Sequence, residues 1–528
     1  MKRLFYILLF FLPCMLIACG GSDDTSGGDN NPPVVVPPGE EPVDSRLLYN
    51  GIRLPEQWPP VRSSSSELEK GMSPFYLSDK PSVINISVGR QLFVDNFLIE
   101  STNLKRTFHY PEYYPGNPIL TPEQDWEKTG TKGAAFAAPF SDGVWYDEKE
   151  GKYKMWYMAG GGSYATSGAG VTCYAESTDG INWTKPTLSV VAGTNIVDYN
   201  SERDASVIWM DKQESNASKR YKMFLVAREA GKWRYNYKTS SDGKAWRAAA
   251  QSEPVADRST VYKNPFRNVW VYSMRHNVRI DANKLVRARD YNENADPQAG
   301  TKKAEALLSA FWFGPWANEQ RHPDYPDIAP AIYNQDATPY ESIMLGFFSV
   351  WQGPENDVCA SDNVIKRNQV MVGYSRDGYS WFREDMAPFH AVNTTTPDAW
   401  NQGNLQSVAG APLIVGDKLY FYLSGRRLRG TQEITTTGLA MLRRDGFASM
   451  KGTGELQTSL LKFDGSHFFV NADVTGEMKV ELLDSGNKVI EGFSKDECKA
   501  FKGDNVKARI EWTGNASLSS LKDKQLKV

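Results

Sequence analysis

The stretch YAESTDGINW (residues 174–183) ends an apolar run in a Ser-Thr-Asp-Gly turn and sets a Trp three residues beyond the glycine. Nearly the same string returns as YKTSSDGKAW (237–246) and YSRDGYSW (374–381), so Ser-x-Asp-Gly-x-x-Trp occurs three times. A unit repeated along a chain marks an array of like elements, and it takes precedence over any local reading. Paired apolar strands precede each copy: GVWYDEKEGKYKMWYMA (143–159) the first, ASVIWMDKQESNASKRYKMFLVA (205–227) the second, and YESIMLGFFSVWQG (340–353) the third. STVYKNPFRNVWVYSMR (259–275) with KLVRARDY (284–291) makes another unit. SVAGAPLIVGDKLYFYLSGR (407–426) with TTGLAMLRRDGFASM (436–450) makes a last one, which keeps Arg-Asp-Gly and has lost the Trp. Five units of two hairpins, with no helical pattern between them, predict an all-β chain in which residues 85–450 form a five-bladed propeller. Asp and Gly then supply the turn between the outer two strands of each blade, and Trp packs between blades.

The flanking segments differ in kind. A chain of 528 residues exceeds one ordinary core. The opening MKRLFYILLFFLPCMLIAC resembles a bacterial lipoprotein signal, which implies cleavage after residue 18 and lipid on Cys19. Residues 19–45, acidic and Gly/Ser-rich and then Pro-rich, cannot bury a core and predict a tether. Ser and Asp close behind Cys19 resemble a surface-export signal of Bacteroidetes lipoproteins. The expectation is an outer-membrane lipoprotein, periplasmic or facing the cell surface, that touches the membrane only through its lipid. Residues 46–84 read as an extension packed on the propeller. Residues 451–528, with HFFVNADV, EMKVELLD, NKVIEGF and VKARIEW, read as a small β-sandwich-like module with too few strands to cover both faces.

Net charge of −3 offers no basic field for nucleic acid. Cys173, Cys359 and Cys498 are widely spaced, and the five His are scattered, so neither a disulfide framework nor a metal site is expected. No cofactor is expected, nothing indicates a structural calcium ion, and a monomer is expected. Aromatics make up 12% of the chain, which suits both a β-protein and a surface that stacks sugars.

In a propeller the first strand of each blade lines the axis, so polar groups at those strands carry the functional expectation. RQLFVDNFLIE (90–100) places Asp95 before blade one, and SERDAS gives Arg203 and Asp204 to blade two. ADRST gives Asp257 and Arg258 to blade three, PYES gives Glu341 to blade four, and NQGNLQS gives Gln402, Asn404 and Gln406 to blade five. Taken singly, such residues are ordinary turn formers or surface ion pairs. Their recurrence at one level favours a pocket.

The repeat resembles the Asp-box of sialidases, one residue short between Asp and Trp, and implies a scaffold role. The architecture resembles the five-bladed glycoside hydrolases of families 32 and 43, and residues 88–120 are similar to the opening segment of bacterial proteins described as family-32-like. The resemblance implies a carbohydrate substrate and a carboxylate acid/base pair in the central pocket. By position it implies Asp95 as base or nucleophile, Asp204 with Arg203 as a hydroxyl clamp, and Glu341 as acid, with Asp257, Arg258, Gln402, Asn404 and Gln406 binding substrate. The string Trp-Met-Asn-Asp-Pro-Asn-Gly is missing, Ala205 stands where the family has Pro, and Glu341 lacks the following Cys. Glycoside cleavage needs one protonated and one ionised carboxyl. The alternatives are a glycan-binding propeller without catalysis, or a polysaccharide lyase using His109, His276 and Arg275. The insertion at 276–330, with Arg279, Arg287 and Arg289 beside aromatics, reads equally as a grip for a uronate carboxylate or as a plain surface loop.

Overall fold

A computed structural model describes residues 44–62, 71–128, 134–164, 170–199, 202–281, 284–306, 308–515 and 517–528. The expected signal peptide, Cys19 and nearly all of the tether lie outside the described residues. Strand makes up 47% and helix 7%, so the fold is all-β.

Five antiparallel meanders succeed one another. Blade one comprises Ala135–Asp147, Lys152–Ala159, Val171–Ser177 and Ile196–Asp198. Blade two comprises Glu202–Met210, Tyr221–Glu229, Lys232–Ser240 and Arg247–Gln251. Blade three comprises Thr260–Asn264, Val269–Asp281, Lys284–Asn294 and Ala310–Phe313. Blade four comprises Ala331–Tyr340, Ile343–Gly353 and Arg367–Ser375, with single bridges at Phe382 and His390 in place of an outer strand. Blade five comprises Gly403–Val408, Lys418–Arg429 and Gln432–Arg443. Its outer strand is Glu112–Tyr113, which pairs with Met441 and Ala440. The first strands touch in the closed order one-two-three-four-five-one, which is a propeller ring.

The Asp-Gly turns are built alike. In each, the serine hydroxyl (Ser177, Ser240, Ser375) donates to the Asp two residues on and accepts the glycine N–H. The same Asp oxygen accepts two further N–H groups, at 2.7–3.1 Å. The glycines share φ of +75°, +76° and +77°, a region that strains any residue with a Cβ. Each glycine carbonyl then accepts from an aromatic side chain of the preceding blade: Gly180 from Tyr422 (2.8 Å), Gly243 from Trp156 (2.6 Å) and Gly378 from Tyr262 (3.3 Å). The repeat is therefore a clamp between blades. Blade five's worn turn keeps the contact by another route, with Asp445 accepting from Tyr340 of blade four (2.5 Å). Asp377→Ala should cost about 1–3 kcal/mol in chemical denaturation, because three buried donors, the Ser375 hydroxyl and the Tyr379 and Ser380 N–H groups, lose their acceptor. A change below ~0.5 kcal/mol, the scale of a neutral surface substitution, would show that the turn is dispensable.

Residues at both ends of the described chain share one cluster. Leu48, Ile52, Leu54 and Tyr76 pack with Phe97, Leu98 and Leu461. The C-terminal module is only part of a sandwich. It holds one two-stranded sheet, Phe468–Met478 with Phe501–Ile510, closed by loops around Leu482, Phe493, Trp512 and Leu526.

Candidate active site

The inner strands lose regularity at the end where they begin. In blade one the register breaks between Ala138 and Gly143, and Phe140 (φ +23°) and Ser141 (φ +71°) take left-handed conformations. Blade two bulges at Asp204 and Ala205, and blade four at Tyr333. Arg258 (φ +55°) precedes blade three, and Asn404 (φ +51°) and Ser407 (φ +60°) interrupt blade five. Bulges re-aim side chains, and strained backbone persists only where its surroundings hold it. Five such breaks at one end of the ring mark the mouth of the axis as the site.

The side chains there form a continuous network. Arg203 Nη2 donates to both oxygens of Asp142 (3.1 and 3.0 Å), and its Nη1 donates to Thr172 Oγ1 (2.6 Å). Asp204 Oδ1 accepts from the Ala205 N–H (2.7 Å) and the Arg258 N–H (2.8 Å). Arg258 stacks on Phe140, 3.8 Å from its centroid, and donates to Ser407 Oγ (2.8 Å). Ser407 meets Ser141 at 3.0 Å, and Asn334 donates to Asp336 at 2.8 Å. Beneath them Arg289, fully buried, donates to the Arg258 carbonyl (2.9 Å) and to Ser273. Burial lowers the Arg289 pKa to about 10.

Four carboxyls lie in this network, in two environments. Asp142 and Asp336 are buried. Burial raises Asp142 to about 6 against the pull of Arg203, and raises Asp336 against Arg258. Solvent reaches the other two: the Asp204 side chain is 20% exposed and the Asp257 side chain 31%. Asp257 is ion-paired with Arg275, yet its pKa is raised, first by burial and then by the charge of Asp204. Several polar atoms about the axis lack a partner, among them Arg258 Nε and Nη1, Asn334 Oδ1, Asn404 Nδ2 and Gln406 Oε1. Such groups are rare in folded proteins and call for water or ligand.

No family model matches the chain, and no curated protein matches it. Solved structures similar to it include an N-acetylgalactosamine deacetylase from F. plautii in complex with blood group B trisaccharide. It shows 11% identity over 65% of this chain and 95% of that one, with a TM-score of 0.41. A glycosyl hydrolase from Bacteroides ovatus shows 12% identity over 64% and 94%, with a TM-score of 0.36. A fructofuranosidase from Schwanniomyces occidentalis complexed with fructosylnystose shows 11% over 68% and 70%, with a TM-score of 0.35. The fold assignment rests on the sheets described above, and the function must rest on the side chains of the site.

The structure brings Arg203, Asp204, Asp257 and Arg258 together at the mouth. Asn404 and Gln406 adjoin them in a buried amide cluster, where Asn404 Oδ1 accepts from Asn368 and from Gln406 (2.5 Å). Gln402 is engaged elsewhere, accepting from the Leu428 N–H at 2.9 Å.

Two expected catalytic residues are corrected. Asp95 lies in a bend and not in a strand, fully buried, with both oxygens on Arg376 (2.7–3.1 Å). Arg376 belongs to the Asp-Gly turn of blade four, so Asp95 stands on the turn face of the ring. Glu341 follows the last residue of its inner strand, Ala331–Tyr340. At about 3.3 Å per residue, roughly 16 Å of strand separates it from Asp336 and roughly 23 Å from Asn334, the residues this strand gives to the mouth. It accepts the Arg90 N–H (2.9 Å) and faces Arg444 at 3.7 Å. Asp95 and Glu341 therefore cannot meet a sugar held by Asp204. The residues missed by sequence reasoning are Asp142, Asn334 and Asp336, while Arg289, expected in an insertion, lies buried in the third strand of blade three. Asp142 carried a signal: Phe140-Ser141-Asp142-Gly143 is a further Ser-Asp-Gly, set inside an apolar strand.

Proposed function

We propose that this protein is a glycoside hydrolase that works at the mouth of the axis, with Asp257 as the proton-holding carboxyl and Asp204 as its ionised partner. One observation carries the proposal: of the four carboxyls in the network described above, these two are reached by solvent, and the charge on Asp204 raises the pKa of Asp257. Acid/base cleavage of a glycosidic bond requires one protonated and one ionised carboxyl, and the upward shift at Asp257 favours it for the first role. Arg203 and Arg258 hold the surrounding frame, and Asn334, Asn404 and Gln406 offer amide groups to sugar hydroxyls. The test is release of new reducing ends from a panel of polysaccharides. Binding without release would make the propeller a glycan-binding module, and an unsaturated product would make it a lyase.

By its sequence we also place the protein on the outer membrane through lipid at Cys19. Cys19→Ala should shift it to the soluble fraction or stall its processing, read by fractionation and by mass of the mature chain. Unchanged membrane association would refute the anchor.

A further inference from the structure

The bulge of blade four presents Tyr333 at the mouth, and three cations surround its ring. Arg287 lies 5.3 Å from the centroid, Arg258 5.6 Å and Lys366 6.0 Å. They come from three separate segments: the third strand of blade three, the turn that opens it, and the loop before Arg367–Ser375. Three other buried arginines are matched to carboxylates: Arg376 to Asp95, Arg383 to Glu319 and Arg203 to Asp142. Here the match is missing. Neither Arg287 nor Lys366 comes within ion-pair distance of a carboxylate among the described residues, although the charge of Arg287 is felt at Asp257, and Arg258, 1% exposed, leaves Nε and Nη1 without a hydrogen bond. The carboxylates about Arg258 are already engaged: Asp257 by Arg275, Asp142 by Arg203, Asp336 by Asn334, and Asp204, 3.7 Å from Arg258 Nη1, by two backbone N–H groups. Three like charges converging on one ring repel one another, and a low-dielectric setting sharpens the cost. An anion placed among them would turn that cost into attraction.

We propose that this cradle receives an acidic group of the glycan, a carboxylate or a sulfate, so that the substrate is an acidic polysaccharide. The proposal takes the glycan from the function above but does not depend on its cleavage. A guanidinium presents paired donors to a carboxylate or sulfate, and Lys adds a compact charge. The placement beside Asp204 and Asp257 sets the acidic group next to the bond to be cut.

Binding to the full chain would be measured by calorimetry with two matched pairs of oligosaccharides. The first pair is an oligogalacturonate and its methyl ester, and the second a carrageenan oligosaccharide and the same oligosaccharide after desulfation. The charged member of one pair should bind at least about tenfold more tightly, the scale of one charge-assisted contact. Added salt should weaken that preference, and Arg287→Ala combined with Lys366→Ala should abolish it. The responding pair tells carboxylate from sulfate. Equal binding within both pairs, no binding to any of the four, or a preference that survives the double variant overturns the site. Binding of the charged member without sugar release refutes the hydrolase and leaves this site standing. Cleavage of neutral glycan by an unaffected double variant does the reverse.

Discussion

Asp257→Asn lowers glycan hydrolysis by about a thousandfold, within the range expected when a general acid is removed, while the fold is retained. The amide keeps size and shape but has no proton to give to the leaving oxygen. A substrate with a good leaving group needs little protonation, so the variant should recover on an activated aryl glycoside. Asp204→Asn should be equally inactive on the natural glycan and should show no such recovery. Glu341→Gln, on the opposite face, should stay within about twofold of wild type, as expected of a residue that makes no transition-state contact. Full activity of Asp257→Asn on a natural glycan would refute the assignment. The pH dependence has a definite sign. The raised Asp257 pKa keeps the acid protonated at higher pH, so activity falls as pH rises through that value. Neutralising Asp204 removes a charge that raises it, so the Asp257 carboxyl, followed by NMR, should titrate lower in Asp204→Asn.

Arg376→Met destabilises the protein by about 3–5 kcal/mol in chemical denaturation, because the buried Asp95 carboxyl loses its ion-pair partner. The Arg376 side chain is 2% exposed and that of Asp95 0%, and the guanidinium also lies 4.7 Å from the Phe97 ring. The double variant Asp95→Leu with Arg376→Met should be more stable than the single, since apolar replacement of both partners removes the stranded charge. If the double variant is worse than the single, the pair contributes by packing alone and the electrostatic account fails.

The difference between what the sequence disclosed and what it hid lies in distance along the chain. The Asp-Gly turns were legible because their chemistry closes within four residues: Ser177, Asp179 and two following N–H groups complete it locally. The all-β class followed from the same local regularity. The partner of Asp95 lies 281 residues away, and no local pattern announces Arg376. Glu341 was misplaced by one strand. Ile343–Gly353 is the most apolar strand of blade four and reads as its first, whereas the inner strand is Ala331–Tyr340, whose Asn334, Gln335 and Asp336 disguise it. Asp142 was hidden by its likeness to the turns, since Ser141-Asp142-Gly143 copies their letters. Its glycine has φ +150°, not the +75° of the turn glycines. The residues Arg203, Asp204, Asp257 and Arg258 were legible because each stands at the start of a strong strand or just ahead of it, at the level where a ring must gather them.

Blade five borrows its outer strand from Glu112–Tyr113, upstream of every blade, and Ile434 and Thr435 pair with Ala135 and Phe136. On the ribosome this has a consequence. Tyr113 emerges early and has no partner until Ala440 has been made, so an open sheet edge stays uncovered for most of the time of synthesis. The last seam of the ring can close only across nearly the whole chain, a slow step because distant segments must find one another. Blades two and four can be clamped through their Asp-Gly turns to blades one and three, which are already made, whereas the turn of blade one must wait for Tyr422 of blade five. Whatever shields the early strand during that interval, a chaperone or its own collapse onto the first blades, governs the yield of closed rings.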